Sequence, residues 1–318
     1  MTNVSVEQQL IKQSKPGGRF WRTFLSQKYL YLMSIPFVLW ILVFNYLPIW
    51  GWTMALQQYR PGLSFWDQQW VGFDHFRELF HDERFFAALK NTLAMSCMGL
   101  IAGFSIPIIF ALLLNELRAP IFKRVVQTVS YLPHFVSWVV VAGIVSKMLS
   151  LDGGLNTILV NLGFIQEPVQ FMAKSSWFWG IVTGSDLWKE TGWNTIIYLA
   201  AMTSIDQEQY EAAKVDGASR IRQMWHITLP GIRSTIIILM IMSIGNLINI
   251  GFEKQFLLSN PMVADKAETL DLYALNYGLQ LGRYSFGTAI NIFNSVVAVA
   301  LLFTANTIFK RISKESIM

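Results

Sequence analysis

The sequence of 318 residues has little of what stabilises or equips most soluble proteins. A single cysteine, Cys97, excludes an internal disulfide framework, and four scattered histidines exclude a Cys/His metal cluster. Charged residues make up 14% of the chain and hydrophobic residues 53%, whereas soluble domains carry about 25% charged residues. So few charges cannot coat a water-soluble protein of this size. The composition therefore indicates a membrane protein.

The charges that are present leave five long uncharged gaps. Each gap spans 19 to 31 residues, and about 20 helical residues are enough to cross the hydrocarbon core of a bilayer. A sixth stretch, 177–204, is long enough to cross but carries Asp186, Lys189 and Glu190. The sequence therefore predicts an all-α membrane protein with six transmembrane helices. Their expected bounds are 29–50, 91–114, 125–148, 177–204, 233–253 and 284–309.

Basic residues are unevenly distributed between the predicted spans. With the N-terminus inside, the cytosolic segments hold 15 lysines and arginines and the outer loops hold 8. Cytosolic loops normally carry this excess, so both termini are expected in the cytosol. We expect a cytosolic tail over 1–28, a transmembrane domain over 29–309 and a second cytosolic tail over 310–318. The apolar spans indicate a lipid membrane as the environment. No basic run reaches five residues, so no nucleic-acid partner is expected.

The most informative loop, 205–231, lies between the fourth and fifth predicted spans. Asp206 is a good N-cap for a first helix, which Gly217 can end by taking the left-handed conformation common at helix C-termini. Ser219 can cap a second helix, and Pro230 closes the unit as the next span begins. The loop therefore predicts a helix–turn–helix elbow, which we expect to be a docking surface.

The elbow carries a recognisable pattern. Glu211-Ala212-Ala213, then Gly217, then Ile227-Thr228-Leu229-Pro230 resembles the EAA loop of permease subunits from type I ATP-binding-cassette (ABC) importers. Glu-Ala-Ala alone arises by chance in many helices, but the glycine and the terminal Leu-Pro at the expected spacing make the match specific. Gln207 departs from the family pattern, because the LplB-like branch of these permeases often has proline at this first helical position. Asp206 can still cap the helix, so little consequence is expected.

The likeness extends over nearly the whole chain. Further segments are similar to the LplB-like branch of these permeases, which is assigned to oligo- and polysaccharide uptake. They are Val71-Gly72-Phe73, Leu113-Leu114-Asn115-Glu116, Tyr131-Leu132-Pro133-His134-Phe135, Trp188-Lys189-Glu190-Thr191-Gly192-Trp193, and Asn246-Leu247 through Gly251-Phe252-Glu253-Lys254.

The resemblance implies a mechanism and a set of partners. The elbow would lodge in a groove of a separate ATPase, with Glu211 pairing to an arginine there. The implied coupling residues are Glu211, Ala212, Ala213, Asp216, Gly217, Leu229 and Pro230. The implied partners are a second permease forming a heterodimer, two ATP-binding subunits, an extracytoplasmic solute-binding protein and an oligosaccharide substrate, in a bacterial cytoplasmic membrane. ATP and Mg²⁺ would bind the ATPase, and no cofactor is expected in this chain.

Polar side chains inside the predicted spans mark a candidate pathway, because in a bilayer they usually face protein or water. Asn246, Asn249 and Glu253 have the spacing of one face of the fifth helix. Amides suit sugar hydroxyls and aromatic rings suit sugar C–H faces, so we expect a sugar pathway here. The candidate pathway residues are Trp188, Lys189, Glu190, Trp193, Asn194, Asn246, Asn249, Glu253, Asn291 and Asn294.

Other interpretations stay open. The same residues could bond helices together, with Lys189 pairing to Asp186 three residues earlier, and His134 is expected to be a packed histidine rather than a ligand. An enzyme is disfavoured because the sequence lacks GxxxxGK[ST], HExxH and G-x-S-x-G motifs. A permease for another solute class, or a secondary transporter or channel, remains possible in principle, although the last two need no elbow that docks an ATPase.

Overall fold

The computed structural model describes residues 26–313. The parts of the two expected tails at 1–25 and 314–318 lie outside the described residues. The chain divides into two compact units, Met1–Met54 and Ala55–Met318, and the expected division into two tails and one transmembrane domain stays a prediction. In the first unit, α1 (Lys28–Ile41) continues through a π-helical turn and a 3-10 run. The helical segment Lys28–Leu56 is long and apolar enough to cross a membrane.

The second unit begins with a short hairpin and two helices. Strands β1 (Gln57–Gln58) and β2 (Gln69–Trp70) pair antiparallel. Helix α2 (Asp74–Leu79) precedes the long helix α3 (Glu83–Glu116), which also has the length and apolarity of a membrane span. Asp82 caps α3 by accepting the N–H of Arg84. The second predicted span therefore starts eight residues earlier than the bound expected from the charge gap.

The third predicted span is not one helix, and the expectation of a continuous helix over 125–148 was wrong. Its bounds are α4 (Pro120–Tyr131), a 3-10 turn (Leu132–Phe135) and α5 (Trp138–Met148). The two helices meet at a bend of 105°. Pro133 cannot donate a backbone hydrogen bond and so favours the break, and Ser137 then caps α5 by accepting the N–H of Val140. The break leaves backbone groups that need partners from elsewhere.

The fourth predicted span is a single helix at the centre of the second unit. After α6 (Gly154–Asn161) and a short 3-10 turn, α7 runs over Ser175–Met202. It packs closely along α3 and beside the broken third span. Gly192 permits that approach, because a Cβ atom there would lie 2.0 Å from the carbonyl oxygen of Ser130. The charged residues of the fourth span therefore lie on a helix that packs against both α3 and the broken third span.

The elbow has the expected bounds, whereas the fifth predicted span ends earlier than expected. The helices are α8 (Gln207–Val215), α9 (Arg220–Gln223), a π-helical turn (Met224–Thr228), α10 (Leu229–Gly231) and α11 (Arg233–Gly245). Pro230 lies one residue before the end of the helical run Arg220–Gly231, so it marks the end of the elbow as expected. The bend, of 60°, follows after Gly231. Helix α11 ends at Gly245, so Asn246, Asn249 and Glu253 do not share one helical face.

Short helices then lead to the last long one. They are α12 (Glu253–Leu258), α13 (Ala264–Ala267), α14 (Leu270–Ala274), a π-helical turn (Leu275–Gln280) and α15 (Tyr284–Ser313). Within residues 26–313, three helices are long and apolar enough to cross a membrane, or up to five segments if each bent pair is one span. The count of six spans stays a prediction, and so does the cytosolic location of the termini.

Two buried clusters position the functional segments. One holds Phe178 and Val182 of α7 against Met95 of α3 and Leu258 of α12. The other joins the base of the elbow to α3 and α7. Its buried members are Ala111, Tyr198, Met202, Ile205 and Ile232. Because the core continues from α7 into both ends of the elbow, the elbow is attached to the helical body and does not hang as a loose loop.

Candidate functional site

The first arm of the elbow has the caps that the sequence predicts. The Asp206 carboxylate accepts the N–H of Glu208 at 3.0 Å, and α8 follows over the expected residues. Gly217 has φ +75°, and the N–H of Ala218 donates to the carbonyl of Ala213 at 2.8 Å. A residue with a Cβ atom is strained at such φ. The glycine therefore allows the chain to reverse sharply after one short helix.

Side-chain bonds fix the angle between the two arms. The hydroxyls of Tyr210 and Thr228 lie 2.9 Å apart, and Thr228 is buried. The amide of Gln223 donates to the carbonyl of Ala218 at 2.9 Å. These bonds join the first arm and the turn to the second arm, so the elbow is braced internally.

Further contacts join the elbow to the long helices. A guanidinium nitrogen of Arg220 lies 3.5 Å from a carboxylate oxygen of Glu116 at the end of α3. At the other end of the elbow, a Cβ atom on Gly231 would lie 2.7 Å from Cδ1 of Ile205. A larger residue at 231 would require the Ile205 side chain to shift. A displacement of the elbow would therefore also move the ends of α3 and α7 that are expected to lie in the cytosol.

The outward face of the elbow combines charge with exposed apolar groups. Glu211, Ala212 and Asp216 are exposed and Ala213 is partly buried. Val215 is 88% exposed, and Ile221 and Trp225 are also largely exposed. Of the remaining expected coupling residues, Pro230 is exposed, Leu229 is partly buried, and Gly217 lies at the exposed turn. Large apolar side chains exposed on a polar loop are candidates for contact with a protein partner.

A pocket lined by both polar and apolar side chains lies beside α7. Its volume is about 300 Å³, and α3, α7 and the segment around α12 line it. Of the residues expected in the pathway, it brings together Glu190, Asn194 and Asn246. The others do not line it. They are Trp188, Lys189, Trp193, Asn249, Glu253, Asn291 and Asn294.

A bonded network of charged residues stands behind the pocket wall. Lys189 is buried, and its ammonium donates to Glu190 at 2.9 Å and to the carbonyl oxygen of His134 at 2.6 Å. The second carboxylate oxygen of Glu190 lies 2.7 Å from Nδ1 of His134. The His134 ring stacks on Trp193 with 4.3 Å between ring centroids. The network thus provides a hydrogen-bond donor for the backbone carbonyl of His134 at the break in the third span. The His134 side chain is packed and hydrogen-bonded, as expected.

The pairing of Lys189 with Asp186, which the alternative interpretation suggested, is not formed. Asp186 instead lies 3.1 Å from the ammonium of Lys254, while Lys189 turns towards the broken span, whose free carbonyl its ammonium can bond. The ring of Trp138 lies within 6.0 Å of both ammonium groups, close enough for cation–π attraction. Asp186 therefore connects α7 to α12 across the pocket.

The asparagines outside the pocket have structural partners or exposed positions. Asn294 is buried, and its amide nitrogen lies 3.4 Å from a carboxylate oxygen of Asp271, which agrees with the interpretation of interhelical bonding. Burial raises the pKa of the Asp271 carboxyl, an effect that hydrogen bonds from Gly251 and Asn294 oppose. Asn291 and Asn249 are exposed. Asn291 and Asn294 of α15 therefore differ in their surroundings although they share a helical face.

Sequence reasoning missed several polar pocket residues, among them Lys254 and Gln255. Both line the pocket, and Gln255 is fully buried. Lys254 ends one of the segments that resemble the permease family, but it was expected in an outer loop, and Gln255 follows it without any signal of its own. The chain leaves the fifth helix at Gly245 and returns in α12, which no local pattern indicated.

Comparison with known proteins now identifies the family. Residues 97–314 match the family described as binding-protein-dependent transport system inner membrane component. The chain belongs to this family. It is a membrane-embedded permease subunit of an ABC importer.

The permease has similar relatives over nearly its full length. It is 45% identical to Protein LplB of Bacillus subtilis (strain 168) over 302 residues, covering 94% of each chain. It is also 45% identical to the polygalacturonan/rhamnogalacturonan transport system permease protein YteP of the same organism, covering 92% of this chain and 91% of the relative.

Solved structures agree with the fold. A crystal structure of a bacterial ABC transporter involved in the import of the acidic polysaccharide alginate contains a chain 40% identical to the permease, with a TM-score of 0.85, covering 93% of this chain and 99% of that chain. A second structure has the transporter in complex with an alginate pentasaccharide-bound periplasmic protein, with a TM-score of 0.86, 40% identity and coverage of 94% and 100%.

Proposed function

We propose that the permease takes up oligosaccharides, together with a second permease, two ATP-binding subunits and an extracytoplasmic solute-binding protein. The observation that carries the substrate class is the 45% identity, over 92% of the chain, to a permease named for polygalacturonan/rhamnogalacturonan transport. The structural relative bound to a periplasmic protein supports the last of these partners. ATP and Mg²⁺ belong to the ATP-binding subunits in this proposal.

The elbow couples the permease to ATP hydrolysis in this proposal. Glu211, with Ala212 and Asp216 beside it, is exposed and free to meet a partner, whereas Tyr210 and Ile205 anchor the same segment in the body. A partner that moves the exposed face would therefore move α3 and α7 with it. The elbow faces the cytosol, where ATP is available, and both chain termini lie on the same side.

The pocket beside α7 is our candidate for this subunit's part of the pathway. Asn194 and Asn246 offer amides, and Ser243 and Thr183 offer hydroxyls, in a pocket of about 300 Å³. Polar groups that converge in one concave site can fix the orientation of a ligand. Lys189 and Trp193 support this wall from outside the pocket through Glu190 and His134. Asn294 is bonded to Asp271 instead, and Trp188, Asn249, Glu253 and Asn291 are left for contacts with substrate or partner elsewhere.

Reconstitution tests the proposal. The two permeases, the ATPase and the solute-binding protein are placed in liposomes, and uptake of labelled oligosaccharides is compared with that of amino acids and peptides. We expect oligosaccharide uptake that needs ATP, and a loss of uptake in Asn194→Leu with assembly unchanged. Uptake of another solute class with none of oligosaccharides would overturn the substrate assignment, and uptake without ATPase would indicate a secondary transporter or channel.

A further inference from the structure

A basic cavity of about 730 Å³ lies between the elbow and the ends of α3 and α7. Its charged lining residues are three cations, Arg118, Lys214 and Arg220, and one carboxylate, Glu116. Arg220 already lies 3.5 Å from Glu116. Arg118 and Lys214 are exposed, and within residues 26–313 neither of them forms an ion pair. The cavity therefore contains two cations that no carboxylate of the described chain neutralises.

The acidic residues of the first arm do not supply the missing negative charge. Glu208, Glu211 and Asp216 lie on or directly after α8, but none of them lines the cavity. The rest of its polar lining is neutral and includes the amides of Asn115 and Gln207. Arginine and lysine are the side chains that commonly bind phosphate in proteins, and arginine can do so with two parallel hydrogen bonds. The cavity is therefore suited to a phosphate group.

An exposed apolar surface begins directly beside the cavity. Helix α4 starts two residues after Arg118. Four large apolar side chains of this helix are between 53% and 79% exposed, and they are Ile121, Phe122, Val125 and Val129. Since consecutive Cα atoms are about 3.8 Å apart, the Cα atom of Ile121 is at most about 11 Å from that of Arg118. A ligand with an anionic head and an apolar tail can therefore contact both the cavity and this surface.

The burial pattern of α4 supports contact with acyl chains. Its partly buried residues include Lys123, Gln127 and Ser130, whereas only Arg124 and Thr128 interrupt the apolar residues on its exposed face. A helix in water normally has the opposite arrangement, with polar residues outward and apolar residues against the core. The outward face of α4 is consequently suited to a hydrocarbon surrounding.

We propose that Arg118, Lys214 and Arg220 bind the phosphate of an anionic phospholipid whose acyl chains lie on the exposed apolar face of α4. Basic pockets at the cytosolic ends of membrane helices are typical sites for such headgroups. The bound lipid joins the segment after α3 to both arms of the elbow, in addition to the pair of Arg220 and Glu116. The inference goes beyond the proposed function, because it adds a lipid that holds the elbow in place.

Lipid binding is measured by native mass spectrometry on the assembled importer after delipidation in detergent. The probe is phosphatidylglycerol, and phosphatidylcholine with the same acyl chains is the comparison without net charge. The double variant Arg118→Gln with Lys214→Gln should bind phosphatidylglycerol at least about tenfold more weakly, the effect of losing one charged hydrogen bond. Its binding of phosphatidylcholine should not change.

A matched control removes two cations outside the cavity. Arg222 and Arg233 are exposed near the elbow and do not line the cavity, so Arg222→Gln with Arg233→Gln should leave phosphatidylglycerol binding near the wild type. Glycerol 3-phosphate separates a lipid from a soluble phosphate compound, because it has the phosphate without acyl chains. It should not displace phosphatidylglycerol at equal concentration.

Three results would overturn the lipid site. They are equal binding of the two lipids by the wild type, equal losses in the two double variants, and displacement by glycerol 3-phosphate at equal concentration, which would assign the cavity to a soluble phosphate compound. If the first double variant does not assemble, Lys214→Gln alone replaces it and should show the same direction of change. Lipid binding is read without transport, so a wild type that takes up no oligosaccharide refutes the proposed function and leaves the lipid site standing.

Discussion

The elbow and the pocket are built in opposite ways. The elbow comes from one continuous segment, whose caps, turn and brace lie within residues 205–232. The pocket is assembled from α3, α7 and α12, whose lining residues are up to 160 positions apart, from Met95 to Gln255. The elbow therefore depends on local backbone conformation and an exposed face. The pocket depends on buried ion pairs and close helix contacts, so single substitutions should affect its stability more strongly.

The largest effect is expected from Lys189→Met. The change leaves Glu190 without its buried ammonium partner and the carbonyl of His134 without its donor, and breaking a buried pair costs about 3–5 kcal/mol. Unfolding of the purified protein in detergent measures the loss. Lys147→Met is the matched control, because Lys147 pairs with Asp152 in an exposed position, and such pairs contribute about 0–1 kcal/mol. Equal losses in the two variants would contradict the role of the buried network.

A slightly smaller loss is expected from Gly192→Ala. Its Cβ atom would lie 2.0 Å from a backbone oxygen of Ser130, so α7 and α4 must separate, at about 3 kcal/mol. Gly184→Ala on the same helix is the control, because a Cβ atom there meets nothing within 4 Å and alanine favours a helix. The same unfolding measurement should show a loss for Gly192→Ala and none for Gly184→Ala. If both variants were as stable as the wild type, α7 and α4 would be farther apart at Gly192 than they are in this structure.

In the elbow, Gly217→Ala should cost only about 1 kcal/mol, because a Cβ atom there has open space and the strain comes from φ alone. The expected functional effect is larger than the effect on stability, since the turn sets the direction of the first arm. Gly217→Asn should retain most ATP-dependent uptake, because asparagine tolerates the left-handed conformation. Uptake measured in parallel with membrane insertion separates the two effects, and an alanine variant as active as the wild type would count against a turn of fixed geometry.

The smallest effect on uptake is expected from Tyr210→Phe, which removes the bond to Thr228 and costs about 1 kcal/mol of stability, as Gly217→Ala does. A double-mutant cycle with Thr228→Val gives the coupling energy of the two hydroxyls. We expect the two single variants to be non-additive and to lower the amount of sugar moved per ATP hydrolysed. Additive losses would show that the hydroxyls do not act as a pair.

The difference between the two regions also explains what the sequence could predict. Asp206, Gly217 and Ser219 act on their own backbone, so their caps and turn were readable from the spacing. The break at Pro133 and the end of α11 at Gly245 were not, because apolar runs continue through both positions and hide the change of direction. The partner of Asp186 could not be predicted either, since Lys254 reaches it only after the chain leaves α11 and returns in α12.

The central claim is that the elbow transmits ATP hydrolysis to the permease through Glu211. It is tested most directly by the initial rate of ATP-dependent sugar uptake in proteoliposomes for Glu211→Gln against Glu208→Gln. Both glutamates are exposed on α8, so the two substitutions make the same change of charge on one helix. The account predicts that Glu211→Gln lowers uptake about tenfold or more, as truncating one partner of an interface charge pair does, while Glu208→Gln stays near the wild type. Equal uptake in both variants and the wild type would contradict it.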